Sequence, residues 1–482
     1  MPGLNLTLLT DFYELTMMQG YFHENKHEEC VVFDLFYRMN PNGSSFSVAA
    51  GLKQAIEYLE LLNFDDDDIA YLRNQGVFEE SFLSYLSELR FTGDLYAVPE
   101  GTVIFPGEPI VKVIAPIIQA QLIETALLNI INHQSLIATK AARVKWAAED
   151  GVVLEFGLRR AQGPDAGILG ARAAVIGGCS ATSNVLAGKL FDIPVKGTHA
   201  HSWVMSFDTE LESFRKYAFL FPHACILLVD TYDTLRSGVP NAIKIFNEMK
   251  AAGIDSKNYG IRLDSGDLSY LSKKARIMLD NAGFTDAIIS ASSDLDEYLI
   301  RDLKLQGAKI TLWGVGTNLI TSKDCPAFGG VYKLTAQYKN GVFEPKIKIS
   351  ETHVKITNPG NKRTLRLYDT VNHKLIADLI VLNEEIYNET DDLIIFDPIE
   401  TWKNKTLLAG EYTIRELLVP IITGGMTIYE SPATFDIKKY CETELKTLWD
   451  ESKRLINPQE VYVDLSRPLY DLKMNMIEKN KF

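Results

Sequence analysis

A chain of 482 residues exceeds what one hydrophobic core organises, and its 46% hydrophobic content supplies ample core material for two or three domains. The formal net charge of −14 excludes nucleic acid as the main partner, because duplex binding needs a basic face. It leaves a phosphorylated substrate open, since a few converging arginines can set the local field. In chain order, the first residues, Met1 to Thr7, lack a basic stretch followed by a long apolar run, so no secretory signal is expected. The acidic run Asp65–Asp68 reads as the solvated start of a helix. Residues 91–118 place short apolar runs between Gly93, Pro99, Gly101, Pro106, Gly107 and Pro116, the texture of a compact β segment. The apolar stretch Leu122–Leu136 is broken by Glu124, Asn129, Asn132 and His133, so it predicts a buried core helix and no membrane span. Five cysteines, Cys30, Cys179, Cys225, Cys325 and Cys441, are scattered without C-x-x-C spacing; they read as reduced thiols of a cytoplasmic protein.

From about residue 150 to 333 a short β-branched run, a polar or glycine-rich turn and a helical stretch alternate. The runs are Val152–Phe156, Ile193–Val195, Cys225–Val229, Tyr259–Leu263, Ala287–Ser290 and Lys309–Trp313. They recur at the pitch of βα units, and their continuous apolarity predicts parallel strands buried on both faces. Polar residues follow each run, as on the catalytic face of an α/β barrel; a doubly wound open sheet is the competing architecture. After Gly330 the period changes to two, and Lys339-Asn340-Gly341 between alternating runs predicts a hairpin. Beyond about residue 373 the pattern mixes strands with a charged helix near Thr443–Ile456 and carries no functional signal.

Chemistry concentrates at the strand ends. Gly197-Thr198-His199-Ala200-His201-Ser202-Trp203 brings together two of the eight histidines, and imidazole both moves protons near neutral pH and attacks phosphorus. A strand-end loop with a structural histidine suits the same residues. Arg262-Leu263-Asp264-Ser265-Gly266-Asp267 places an arginine near the end of a buried strand, where it needs an anionic partner, internal or bound. Asp264 and Asp267 suit ribose hydroxyls or water-bridged magnesium, and Asp267 equally suits a helix cap. Gly314-Val315-Gly316-Thr317 suits a phosphate cradle. Phe156 with Arg159 and Arg160 offers an aromatic face and two guanidinium groups for a flat heterocycle and a diphosphate. No P-loop is present, and His199 with His201 alone is too small a set for a metal.

Over nearly its whole length the chain resembles the nicotinate phosphoribosyltransferase family. The segments that carry the resemblance are Leu9–Met17, Phe33–Arg38, Glu155–Gln162, Gly197–Trp203, Arg262–Leu268, Trp313–Asn318 and Gly330–Leu334. It implies an α/β fold: an irregular α/β barrel beside an α/β sandwich built from sequence on both sides of it, plus a C-terminal extension. The boundaries this gives are 1–135 for the N-terminal sandwich region and 136–333 for the barrel. Residues 334–372 return to the sandwich, and 373–482 form the extension. The implied reaction transfers 5-phosphoribose from 5-phosphoribosyl 1-diphosphate to nicotinate, with magnesium (Mg2+) present and ATP hydrolysis coupled.

The resemblance also implies roles. His201 would be the phosphohistidine, with His199 supportive or incidental. Tyr13 and Phe156 would sandwich the pyridine ring, and Thr198 and Arg262 would receive its carboxylate. Arg159, Asp264, Gly266, Gly314, Gly316, Thr317 and Lys333 would hold the phosphoribosyl diphosphate. Asp11 would border the site from a partner subunit, so a homodimer is expected; Arg160, Ser183 and Asp267 complete the surroundings. Ser183 stands near the position where a nicotinamide-using relative carries an aspartate, and a serine there does not repel a carboxylate. Nicotinamide or quinolinate as the base, and a non-catalytic binder on the same scaffold, are the competing readings.

Overall fold

A computed structural model describes residues 5–352 and 355–480. The chain divides into two compact units: residues 1–136, 327–432 and 439–482 form the first, and residues 137–326 with 433–438 form the second.

In the second unit, six short segments become six parallel strands: β1 (Val152–Glu155), β2 (Ala181–Thr182), β3 (Cys225–Leu228), β4 (Tyr259–Leu263), β5 (Ile288–Ala291) and β6 (Leu312–Val315). Their order is β2-β1-β6-β5-β4-β3. Helices such as Pro164–Ile176, Val239–Ala251 and Leu268–Asn281 make the crossovers, which is why β3 and its neighbours are buried on both faces. The run Ile193–Val195 forms only a single bridge, Thr182 with Val195, because Pro194 has no amide to extend a ladder. Beyond that bridge the chain reaches β3 through a side chain: the Leu228 amide donates to His199 Nε2 at 3.2 Å.

In the first unit, a seven-stranded antiparallel sheet holds Cys30–Tyr37 in its interior, with Gly330–Lys339 on one side and Val111–Pro116 on the other. Thus the β segment before the α/β region and the hairpin after it share one sheet. The hairpin turns at Asn340–Gly341, as its sequence predicts. A four-stranded sheet, Tyr412–Glu416, Lys362–Asp369, Leu375–Leu382 and Val463–Leu465, lies in the same unit, together with the helix Arg467–Lys479 and residues 439–447 of the helix Thr434–Thr447. The C-terminal residues set apart by sequence are grouped here with the N-terminal ones, and Val419–Thr423 pairs with Asp94–Ala97 in the larger sheet. The charged helix begins nine residues earlier than Thr443, at Thr434, since Ile437, Cys441, Glu444 and Leu448 already give a buried helical stripe.

The core helix expected at Leu122–Leu136 runs from Glu124 to Ala148. Asp65 caps the helix Asp66–Asn74 by accepting from the Asp68 amide, and Asp68 returns the bond, which makes the acidic run a capping box. All five cysteines are free thiols. Among the described residues no helix is long and apolar enough to cross a membrane.

Candidate active site

Arg262 is the second-last residue of β4, and its neighbours explain why a guanidinium is tolerated there. Nη1 donates to Thr198 Oγ1, and to the His199 carbonyl at 3.4 Å; Nη2 lies 3.6 Å from Asp264 Oδ1. An internal carboxylate thus balances the charge in part, while the buried Nε has no hydrogen-bond partner among the described residues. Such a guanidinium is prepared for a further acceptor.

Asp264 is the hub of the cluster. Ser292, just beyond β5, donates to its Oδ1, and its Oδ2 lies 3.7 Å from His201 Nε2. Asp230, just beyond β3, accepts from the Asp264 amide at 2.9 Å and from Ser265 Oγ at 2.6 Å through Oδ2. Asp230 Oδ1 is buried and has no hydrogen-bond partner among the described residues. His201 opens the short helix His201–Met205, half exposed, and its Nδ1 is 3.1 Å from Thr231 Oγ1. The ends of β3, β4 and β5 and the loop after β2 therefore converge on one imidazole and one guanidinium.

The two histidines differ in kind. His199 is buried; desolvation brings its pKa down from 6.5 to about 4, assisted by the charges of Arg262 and His201. It is a neutral acceptor for a backbone amide and structural, whereas His201 presents its ring to the strand-end opening.

At the β1 end, Glu155 is buried, accepting from the Gly157 amide and, at 2.5 Å, from Thr182 Oγ1. Burial raises its pKa, with both hydrogen bonds opposing. These bonds fix the turn on which Phe156 sits. Gly314, on β6, lies under that ring: a Cβ there would come within 2.7 Å of Phe156 Cδ2. The glycine read as a phosphate cradle thus also makes room for the aromatic face. Gly316 lies beside the Phe156 carbonyl, and Thr317 follows it at the start of a four-residue turn of helix. Arg159 and Arg160 are exposed on the single turn Leu158–Arg160. Ser183 follows β2, its amide donating to the Glu155 carbonyl at 3.0 Å. Gly266 turns the loop after β4 with φ +77°, and Asp267 accepts from the Tyr270 amide at 2.8 Å as the cap of the next helix.

Asp11, Tyr13 and Lys333 belong to the first unit. Asp11 precedes the helix Phe12–His23, and its Oδ2 accepts from Thr125 Oγ1 at 3.2 Å. Tyr13 is half exposed on the first turn, and burial followed by its bond to Glu14 pushes its hydroxyl pKa up. Lys333 Nζ is 3.6 Å from Glu124 Oε1. Asp230, Thr231, Glu155 and Ser292 join the site without a role that the sequence pattern assigns. Each sits directly after or at the end of a strand, but its partner is a strand away.

Comparison with known proteins agrees along the chain. Residues 8–132 match the nicotinate phosphoribosyltransferase N-terminal domain, residues 152–344 the nicotinate phosphoribosyltransferase family, and residues 361–473 the corresponding C-terminal domain. The nicotinate phosphoribosyltransferase of Bacillus subtilis is 49% identical over 99% of this chain and 96% of its own length. The human enzyme of that name is 30% identical over 96% of this chain and 95% of its own. The crystal structure of human nicotinic acid phosphoribosyltransferase superposes with a TM-score of 0.83 at 29% identity, covering 97% of this chain and all of that one.

Proposed function

The chain belongs to the nicotinate phosphoribosyltransferase family, and on that premise we propose that its strand-end cluster transfers 5-phosphoribose from 5-phosphoribosyl 1-diphosphate to the ring nitrogen of nicotinate. The products are nicotinate mononucleotide and pyrophosphate, the first step of NAD synthesis from nicotinate. The observation that carries this reading is Arg262, whose buried Nε lacks an acceptor among the described residues while Thr198 and Asp264 fix the rest of the guanidinium. A flat carboxylate satisfies that donor, with Phe156 covering the ring.

The transition state resembles an oxocarbenium ion leaving a diphosphate, so the protein's contribution is positioning and charge. Arg159, Gly266, Gly314, Gly316, Thr317 and Lys333 are proposed to hold the phosphoribosyl diphosphate, with Arg160, Ser183 and Asp267 around it. Asp230 and Asp264 fit magnesium: they follow adjacent strands, Asp230 Oδ2 accepts from the Asp264 amide at 2.9 Å, and Asp230 Oδ1 has no hydrogen-bond partner among the described residues. Magnesium keeps most of its waters and substrate oxygens, so two carboxylates suffice; when bound it offsets charge on the leaving diphosphate. The α/β strands are proposed to form an irregular barrel. Asp11 and Tyr13, exposed at a helix start, are proposed to complete the site of a second copy in a homodimer.

His201 is proposed to accept the γ-phosphoryl group of ATP. With Nδ1–H donating to Thr231 Oγ1, Nε2 keeps its lone pair, displaces ADP and is later freed by water. The test incubates the protein with γ-labelled ATP and measures acid-labile, base-stable phosphate in wild type and His201→Ala. Label on the wild type alone is expected, with the variant still forming mononucleotide slowly and without ATP consumption. Mononucleotide formation with no label in either protein removes the phosphohistidine and keeps the transferase. Absence of product with nicotinate, together with turnover of nicotinamide, overturns the assigned base.

A further inference from the structure

In the C-terminal part of the first unit lies a cavity of about 460 Å³ lined by none of the candidate site residues above. Trp402, Trp449 and Tyr462 supply aromatic walls, and Asp397 and Asp464 line it with them. The rings are kept at the surface: Trp402 is 72% exposed and the other two 45% each. Trp449 is fixed, its Nε1 donating to the Leu375 carbonyl at 2.9 Å.

Asp464 lies on the strand Val463–Leu465 and is only 3% exposed, yet its carboxylate has no hydrogen-bond or ion-pair partner among the described residues. Its neighbour Asp397 is already committed, with Oδ1 accepting from the Ile399 and Glu400 amides at 2.7 and 2.9 Å. Burial, then the charge of Asp397, pushes the Asp464 carboxyl up to about 7. A buried carboxylate without a counterion is costly, and a cation seated against it removes the cost. The described residues hold no group of three His, Cys, Asp or Glu that suits a metal ion. Aromatic walls favour an organic cation, whose charge faces the ring quadrupoles.

We propose that this cavity binds a small organic cation, a flat or alkylated nitrogen centre seated among Trp402, Trp449 and Tyr462 with Asp464 as its counterion. The remaining charged groups that face the cavity are Asp369, Asp397, Lys403 and Lys405; Lys403 is paired with Glu400. The ligand competes with the proton on Asp464, so affinity rises with pH.

The test is a ligand-observed NMR titration of the full chain with N-methylpyridinium, and with anisole as a neutral molecule of similar size. N-methylpyridinium is expected to bind about tenfold or more tightly than anisole. Its affinity should rise about tenfold from pH 6 to pH 8, as follows from a midpoint near 7. Asp464→Asn abolishes the pH dependence, and Trp402→Ala, at a position too exposed to disturb the fold, weakens binding at pH 8. Both variants should form nicotinate mononucleotide at the wild-type rate. Failure of the wild type to bind N-methylpyridinium, equal binding of anisole, or affinity unaltered by both substitutions overturns the proposal.

Discussion

His199 accepts the Leu228 amide through Nε2 and packs edge-on against Tyr217 at 4.7 Å between ring centroids, so its single proton resides on Nδ1. That assignment has a pH signature. The unfolded imidazole takes up a proton below about 6.5, whereas the folded one, desolvated, does so only near 4. The stability held by the neutral ring is therefore complete above pH 6.5 and falls as pH drops toward 4, by up to about 1.4 kcal/mol per pH unit. His199→Gln keeps a carbonyl acceptor for the Leu228 amide and removes the titration. Urea unfolding should show the variant less stable than wild type at pH 7.5, with the gap closing by about 2 kcal/mol at pH 5. A gap independent of pH would mean that His199 is not a buried neutral acceptor. His201, two residues on, belongs to the same glycine-hydroxyl-imidazole pattern; only the fold separates the two, by burying one ring and leaving the other at the strand end.

Strand β6 and the turn after β1 meet at Gly314 and Phe156, and the contact gives the glycine a test of its own. A methyl group on Gly314 would stand 2.7 and 2.8 Å from two Phe156 ring carbons, so the ring must move. Gly314→Ala is expected to cost about 1–3 kcal/mol of stability through overpacking. It should raise the KM for nicotinate about tenfold if the lost ring contact is worth the roughly 1.4 kcal/mol typical of a good aromatic pair. Labelling of His201 by ATP should be unchanged; a variant with altered labelling and normal KM would contradict the assignment of Phe156 to the pyridine ring. At this scale much is legible in the sequence. β4 matches the predicted run Tyr259–Leu263 residue for residue, because the apolar run is bounded on both sides by polar groups. Ala181–Thr182 leaves no sequence signal because two residues carry no period, and the run Ile193–Val195 falls short of a strand because its proline cannot donate. Asp230 and Ser292 are legible in the sequence only as polar residues that follow predicted strands, for another reason. Their meaning lies in bonds to the Asp264 amide and carboxylate, 34 and 28 residues distant, and periodicity does not encode such pairings.

Across the first unit, Arg366 joins parts of the chain that sequence texture keeps apart. It is fully buried on the strand Lys362–Asp369, forms two hydrogen bonds to Asp378 at 2.8 and 2.6 Å, and donates to Glu444 of the helix Thr434–Thr447 at 3.1 Å. Glu108, from the N-terminal portion, lies 3.9 Å away, and the guanidinium carbon is 5.1 Å from the centre of the Phe105 ring. Arg415 is a second cation beside Glu444, binding both of its oxygens at 2.6 and 2.8 Å. Segments 105–108, 366–378 and 444 thus share one charge cluster, so the C-terminal residues are structural members of this unit. Arg366→Met fills about the same volume but leaves Asp378 and Glu108 without their cation, Glu108 with a pKa already raised by burial, while Glu444 keeps Arg415. Breaking a buried pair from one side costs about 3–5 kcal/mol, while replacing a whole buried pair by apolar groups is often neutral. The variant should therefore unfold at markedly lower urea at pH 7, and part of the loss should return at pH 5, because the raised pKa of Glu108 favours its neutral form as the pH falls. Arg366→Met combined with Asp378→Leu should recover stability relative to the single variant. If the single variant instead loses less than about 1 kcal/mol at pH 7, the cluster does not tie these segments together, and the apolar core around Leu365, Leu379 and Tyr412 must do so alone.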